Sequence, residues 1–553
     1  MKLGKFNRPL MSTLENSAGA VATTGMVVAS AGEPACLSCA NATPQGHAAP
    51  ALARTTRAGS IHARDSALAG ILCRAFSFPV LLGALLVGAV FCTARLGLQD
   101  PDTWWHIVTG QQILATHAWP TVDSFSFTIH GAPWLPYEWL GDVLMAVCVR
   151  VGGLQGLTAG VIVLAGVIFA LLYYYAFLRS RNAKAAFMAC AAVLPLSVLF
   201  FTFRPQLLGY VFFILTLILL ERYRLGLQQS LWLLPLVFLL WVNTHGTFVF
   251  GLFALGLYWA SGQVTFSAGG IHAERWTPRQ NRHLMLIGLL CLLALCATPY
   301  GWRVAVNPIQ MAFAQPINIS SIKEWQSMPL GTWRGKLFLA YVLLFVLAQI
   351  GLRPRYRIEE MGLFFLAVYA ASVHVRFLII FVIIFAPLLA GLLERWSPPY
   401  ESSKDRPLLN AALMLILIAA LVAFFPSRQE LLQTEEGFFP VSAVQYLRAH
   451  AVPEPMFNEY GYGGYLIWSF NGQRKVFIDG RADIYEARGV LSDYLSISGV
   501  SANALGLLKK YNIQSCLIQR DAALATLLSA SGDWSRIYED QLSAIYVRNG
   551  ARP

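Results

Sequence analysis

Between residues 76 and 425 the chain is a succession of apolar segments joined by short loops, a pattern that leaves few folds open. The segments run over 76–98, 153–178, 184–203, 206–222, 231–243, 246–260, 284–299, 335–352, 358–373, 377–393 and 407–425. Backbone in hydrocarbon must satisfy its own hydrogen bonds, so runs of this kind form helices. Crossing a bilayer takes about 20 residues; several segments are shorter, which makes their ends soft. Of 553 residues, 56% are hydrophobic and 13% charged, against about 25% charged in a soluble domain. The fold class is therefore a polytopic α-helical membrane protein with about eleven transmembrane helices.

The net charge of +12 does not point to nucleic acid, because its cations lie mostly between the apolar segments. With the N-terminus cytoplasmic, the cytoplasmic loops carry Arg179, Arg181 and Lys184; Arg222 and Arg224; Arg275, Arg279 and Arg282; Arg353, Arg355 and Arg357; and Arg395, Lys404 and Arg406. All are basic, as the positive-inside rule requires. The rule also requires a break within 231–260 and places the C-terminus outside. On the outer side then fall the first loop 99–152, the turn at Arg204-Pro205-Gln206 and the break Asn243-Thr244-His245-Gly246. The segment 300–334, the turn at His374-Val375-Arg376 and everything after residue 426 join them there.

Residues 1–70, rich in Ala, Ser, Thr and Gly, read as a disordered cytoplasmic tail. Cys36 and Cys39 have metal or redox spacing, but no second pair or histidine cluster completes a site. Residues 426–553 change character. Runs such as Lys475–Ile478 and Ser515–Ile518 alternate with helical patterns at 440–450, 501–511 and 521–530, which predicts a small α/β domain.

The densest polar motif, Gln99-Asp100-Pro101-Asp102-Thr103-Trp104-Trp105-His106, directly follows the first apolar segment. Ionisable groups beside a span are costly unless paired, hydrated or used. Asp100, Asp102 and His106 are accordingly the candidate catalytic groups. Alternate carboxylates can share a divalent cation, Mg or Mn, through oxygen ligands, or one of them can take a proton from a hydroxyl. The bland alternative is a solvated interfacial loop. Trp104 and Trp105 beside the acids suit a sugar face. Glu138 is either a site residue or a charge that favours the start of the helix predicted at 138–151.

Arg204, followed by Pro205 and Gln206, either snorkels to headgroups or makes a forked contact with phosphate; Arg376, beside His374, is placed the same way. Asn243 and His245 sit in a helix break whose backbone groups need partners; they are either site residues or a buried histidine satisfied by Asn243. Glu324 either contacts an acceptor or caps an interfacial helix. Asp479, Arg481 and Asp483 read either as an internal ion pair and cap or as contacts to carbohydrate or acceptor, and the glycines of Gly461-Tyr462-Gly463-Gly464 as tight turns after a strand.

This layout resembles the GT-C membrane glycosyltransferases, the superclass of protein O-mannosyltransferases, aminoarabinose transferases and oligosaccharyltransferases. The motifs Asp-Pro-Asp-Thr-Trp-Trp-His, Pro-Trp-Leu-Pro-Tyr-Glu-Trp-Leu, Trp-Val-Asn-Thr-His-Gly and Phe-Ile-Asp-Gly-Arg-Ala-Asp resemble those of a group of bacterial relatives. The resemblance implies a GT-C-like domain over 71–425, a periplasmic α/β domain over 426–553 and residence in the bacterial inner membrane. It makes Asp100 or Asp102 the counterpart of the first-loop catalytic acid. It also implies a polyprenyl-phosphate sugar as donor and a glycan, lipid or protein as acceptor. A transporter or flippase of envelope precursors, which the 243–246 break would suit, and a non-catalytic envelope scaffold are the competing classes.

Overall fold

The structure, a computed structural model, describes residues 70–552. The expectations for residues 1–69, including Cys36 and Cys39, lie outside the described residues. Each predicted apolar segment contains a helix, from Phe78–Ala94 through Ala183–Ser197 and Gln206–Arg224 to Pro407–Ala423. Among the described residues five helices are long and apolar enough to cross a bilayer: Trp139–Ser180, Ala183–Phe200, Gln206–Arg224, Trp333–Leu352 and Val375–Trp396. Phe78–Ala94, Leu233–Val242 and Phe248–Ser261 are apolar but shorter. The predicted break inside 231–260 is present, and residues 243–247 separate Leu233–Val242 from Phe248–Ser261.

The 42-residue helix Trp139–Ser180 fuses the amphipathic stretch at 138–151 to the next apolar segment, with non-helical backbone at Gly153 (φ 58°) marking the junction. Only a residue without Cβ adopts that conformation cheaply. The helix Leu378–Leu393 is buried along almost its whole length and packs on Ala183–Ser197 and Trp139–Ser180, so it forms the axis of the bundle. Several of the basic loop residues turn out not to be free anchors. Arg179 pairs with Glu360 at 2.5 Å, Arg224 with Glu359 at 3.1 Å and Arg357 with Glu221 at 2.6 Å.

After residue 440, strands Met456–Asn458, Ser515–Gln519, Ser543–Arg548 and Trp534–Glu539 lie side by side in that order. The first pair is parallel and the other two antiparallel. Helices Val441–Ala449, Ala504–Lys510 and Ala523–Ala530 occupy the three predicted helical stretches.

Two local expectations are corrected. Lys475–Ile478 is extended but joins no sheet. Its partner is the loop 117–138, through Val476 N–H to Phe125 O (3.0 Å), Phe127 N–H to Val476 O (3.1 Å) and Thr128 Oγ1 to Phe477 O (2.7 Å). The glycines at 461–464 lie within helix Tyr460–Ser469 rather than in turns. They permit close packing: a Cβ on Gly463 would meet Ile478 O at 2.1 Å, and one on Gly464 would meet Pro101 O at 2.3 Å. That helix therefore seats the C-terminal residues directly against the Asp-Pro-Asp motif.

Candidate active site

The chain dips at Pro101 and starts the helix Asp102–Thr116, whose first turn is tied by the Asp102 N–H donated to Asp100 Oδ1 at 2.9 Å. Thr103 Oγ1 donates to Phe203 O at 3.0 Å and brings the 201–205 turn alongside. Arg204 then stands among three carboxylates. It pairs with Asp100 (Nε to Oδ2, 2.9 Å), with Asp102 through Nη2, and with Glu324 through Nη1 at 2.8 and 3.0 Å. Thr202 Oγ1 donates to Asp100 Oδ2 at 3.1 Å, so both Asp100 oxygens are engaged. Asp102 is freer: its Oδ1 receives only the Trp105 Nε1–H at 3.3 Å.

Glycine at 480 makes room for that oxygen, because a Cβ there would come within 1.6 Å of Asp102 Oδ1. Gly480→Ala is expected to push the carboxylate aside and lower whatever turnover depends on it by about 10²-fold, the scale of a misplacement of about 1 Å. The thermal midpoint should move little; comparing activity with unfolding of the same preparation checks both.

A second group stands on another wall. Glu138 precedes the helix Trp139–Ser180, with Oε2 3.6 Å from His106 Nε2 and Oε1 3.4 Å from His245 Nε2. Behind His106, its Nδ1 meets Asp142 Oδ1 at 2.6 Å. Arg376 lies over the Trp325 ring at 4.1 Å, and no carboxylate pairs with it among the described residues. Arg481 is enclosed by Asp479 (2.6 Å) and Asp123 (2.8 Å), with its guanidinium carbon 4.5 Å from the Trp134 ring centre.

Asp100, Asp102, Arg204 and Glu324 border one cavity of about 620 Å³ with Glu138, both histidines, Asp142, Arg376 and Arg481, while Asp123 and Asp479 lie behind Arg481. Its wall also includes Gln206, Tyr460, Asp483 and Tyr494. Withdrawal from water dominates the titration here. Burial pushes Asp102 up to about 7, Glu138 up to about 8 and Asp483 up to about 6, with Arg204 opposing the rise at Asp102 and Glu138. Burial likewise lowers His245 to about 3 and His106 well below its ordinary value, so both imidazoles are neutral near pH 7. In contrast, the Arg204 guanidinium holds Glu324 below the usual carboxylate range.

Of the residues expected from sequence, Asp100, Asp102, Trp105, His106, Glu138, Arg204, Gln206, His245, Glu324 and Arg376 all border the cavity. Three do not. Trp104 is fully buried behind it against Phe439, Tyr465 and Trp468, because one residue along a helix turns a side chain by about 100°. Asn243 is spent on structure, accepting from Trp139 Nε1 at 2.7 Å and donating to Leu239 O and Ala297 O. His374 is held by the Trp325 carbonyl.

Asp100 and Asp102, the expected ligands of a divalent cation, are both committed to Arg204. Among the described residues no group of three or more His, Cys, Asp and Glu side chains is disposed to hold a metal ion. The donor set therefore does not fit Mg or Mn, since a guanidinium stands where the two carboxylates converge. Asp142 escaped the sequence reading, although its spacing of four from Glu138 puts both on one face of a helical start. Tyr460 and Tyr494 carried no signal that separates them from core tyrosines.

No family model and no curated protein matches the sequence. Among solved structures the chain is similar to ArnT from Cupriavidus metallidurans bound to undecaprenyl phosphate (TM-score 0.48, 15% identity, 86% of this chain and 99% of that one). The same protein in its apo state is similar over 90% of this chain and 100% of that one (TM-score 0.46, 14% identity). A third is the archaeal oligosaccharyltransferase AglB from Archaeoglobus fulgidus, in complex with an inhibitory peptide and a dolichol-phosphate (TM-score 0.42, 11% identity, 79% and 69%). These neighbours are GT-C glycosyltransferases, the class the sequence motifs resemble. At such identities and scores the likeness is one of layout, and no chemistry follows from it.

Proposed function

We propose that the chain is an integral membrane glycosyltransferase that moves a sugar from a polyprenyl-phosphate donor to an acceptor hydroxyl at the outer face of the bacterial inner membrane. The proposal includes about eleven spans, a cytoplasmic N-terminus and a periplasmic α/β domain from residue 426. The observation that carries the reading is one shared cavity, of about 620 Å³, where the first-loop acids meet an arginine that has no carboxylate partner among the described residues. That volume suits a small ligand such as a sugar headgroup.

Asp102 is the carboxylate that takes the acceptor proton. Asp100 and Arg204 hold it in place, so Arg204 acts on the acids and not on the donor. Arg376 is available to counter the phosphate charge, and Trp105, against Trp134, offers an aromatic wall to the sugar. The anomeric bond to phosphate breaks with its electron pair leaving on phosphate oxygen while the acceptor oxygen bonds the carbon. Positioning and fixed charge in a dry cavity supply much of the rate in such transfers. No step is routed through a metal.

The test replaces Asp100 and Asp102 together by Asn and measures product by mass spectrometry in membranes and by glycan complementation in a deletion strain. Transfer at the wild-type level by the double variant would falsify the assignment.

A further inference from the structure

With Asp102 receiving the acceptor proton, the second titratable row in the cavity has no task. The row has a direction. Trp241 Nε1–H donates to Thr247 Oγ1 at 3.0 Å, and the Thr247 N–H points at His245 Nδ1 from 3.2 Å. His245 Nδ1 is thus an acceptor, its ring proton is on Nε2, and Nε2 faces Glu138 Oε1 at 3.4 Å. On the far side, His106 Nδ1 and Asp142 Oδ1 share one proton across 2.6 Å; with that proton on Nδ1, the Nε2 lone pair faces Glu138 Oε2 at 3.6 Å. In that tautomer the row closes when Glu138 itself carries a proton on Oε2. Shifting both protons across His106 exchanges that proton with Asp142, whose second oxygen is buried without a partner. The gaps of 3.4 and 3.6 Å exceed a formed hydrogen bond, as catalytic contacts do before substrate tightens them.

We infer that Glu138 is the proton donor to the sugar donor's phosphate, held for that task by His106 and Asp142. The inference rests on the glycosyl-transfer reading. As the anomeric C–O bond breaks, its electron pair goes to the phosphate oxygen, and that oxygen takes the Glu138 proton. The acceptor O–H gives its proton to Asp102 as its oxygen bonds the anomeric carbon. Asp102 then releases that proton to water, and Glu138 takes one back from water once the products have left the cavity, so nothing else is consumed. Glu138 is a catalytic residue in this scheme; His106 and Asp142 are positioning residues acting through it.

The charged groups that reach Glu138 come from every neighbouring element. Arg204 and Arg376 favour its anion, Asp102 and Asp483 oppose it, and burial outweighs all four. Tyr137 and Asp142 flank it on its own segment, and the two imidazoles facing it are neutral. Glu138 accordingly enters the neutral pH range protonated, and becomes an anion beside the phosphate only above about pH 8.

The experiment titrates the full-length protein in nanodiscs with a polyprenyl monophosphate, followed by tryptophan fluorescence from about pH 6.5 to about pH 9.5, alongside turnover and thermal unfolding. Wild-type affinity is expected to fall by up to about tenfold per pH unit above 8. Glu138→Gln keeps a neutral hydrogen-bond donor, so its affinity stays flat with pH while its turnover drops about 10²-fold or more. Glu138→Ala binds weakly throughout. His106→Gln retains affinity, loses turnover and has an altered upper pH limb, a change that a merely structural role would not produce. Wild-type affinity that is flat through pH 8, or unimpaired turnover in a folded Glu138→Gln, overturns the inference. Lipid-phosphate binding that behaves as expected in a protein that transfers no sugar would sink the glycosyl-transfer reading instead, and no lipid-phosphate binding at any pH sinks both.

Discussion

Asp102→Asn is expected to lower the turnover of sugar transfer by about 10²–10⁴-fold, the usual loss when a general base is removed, with lipid binding and fold retained. Asp100→Asn should cost less turnover and more stability. The two carboxylates differ in what already occupies them. Asp100 accepts the Asp102 N–H on one oxygen and meets Thr202 and Arg204 on the other. Asp102 gives one oxygen to Arg204, while its other oxygen has only a long contact from Trp105 Nε1.

The pH dependence has a definite sign. Burial raises Asp102 to about 7, and only its anion can accept a proton. Wild-type kcat/KM should therefore rise with pH through about 7, before the fall above about pH 8 that loss of the Glu138 proton brings, and the rising limb should vanish in Asp102→Asn. Initial rates at limiting acceptor across this range check it. Undiminished turnover in Asp102→Asn, or a larger loss in a folded Asp100→Asn, would reverse the assignment of the two acids.

Arg481→Met is expected to destabilise the protein by about 3–5 kcal/mol, the cost of leaving buried charges without their partner. Asp479 and Asp123, 0% and 1% exposed, both face the Arg481 guanidinium. They come from the C-terminal residues and the loop 117–138, so the loss should also loosen the joint made by Phe125, Phe127 and Val476. Arg481→Lys should fall between, since an ammonium keeps the charge but not the fork that engages Asp479 through Nε and Nη2. Adding Asp123→Asn and Asp479→Asn to Arg481→Met should recover much of the loss, because the carboxylates then carry no charge. Thermal unfolding in detergent and protease nicking near residue 125 are the measurements. An Arg481→Met protein as stable as wild type would show that the enclosed charges are compensated elsewhere.

For Arg481 the sequence displayed one partner, Asp479, and not the other, Asp123; the acids of the first loop it displayed without theirs. Asp100, Asp102 and Arg204 were each conspicuous as polar residues beside apolar runs, and assigning the loops to one side brought them into the same neighbourhood. Nothing in that reading paired Arg204 with the acids in place of a phosphate, since Glu324 lies 120 residues away and only packing supplies it. Trp104 and Trp105 are equivalent in sequence, yet one fills a core and the other borders the cavity. Asn243 looked like a ligand because a polar residue in an apolar run needs a partner; Trp139 is that partner.

By itself the sequence determined the helices, the break at 243–247 and the company of polar loops, because hydrogen-bond satisfaction and apolar periodicity act over a few residues at a time. Tertiary structure alone decided which carboxylate is free, which arginine is spent, and that Lys475–Ile478 pairs with the first loop. Those outcomes depend on side-chain direction and on partners one hundred or more residues apart, and in a cavity withdrawn from water each such pairing changes how strongly the remaining groups hold their protons.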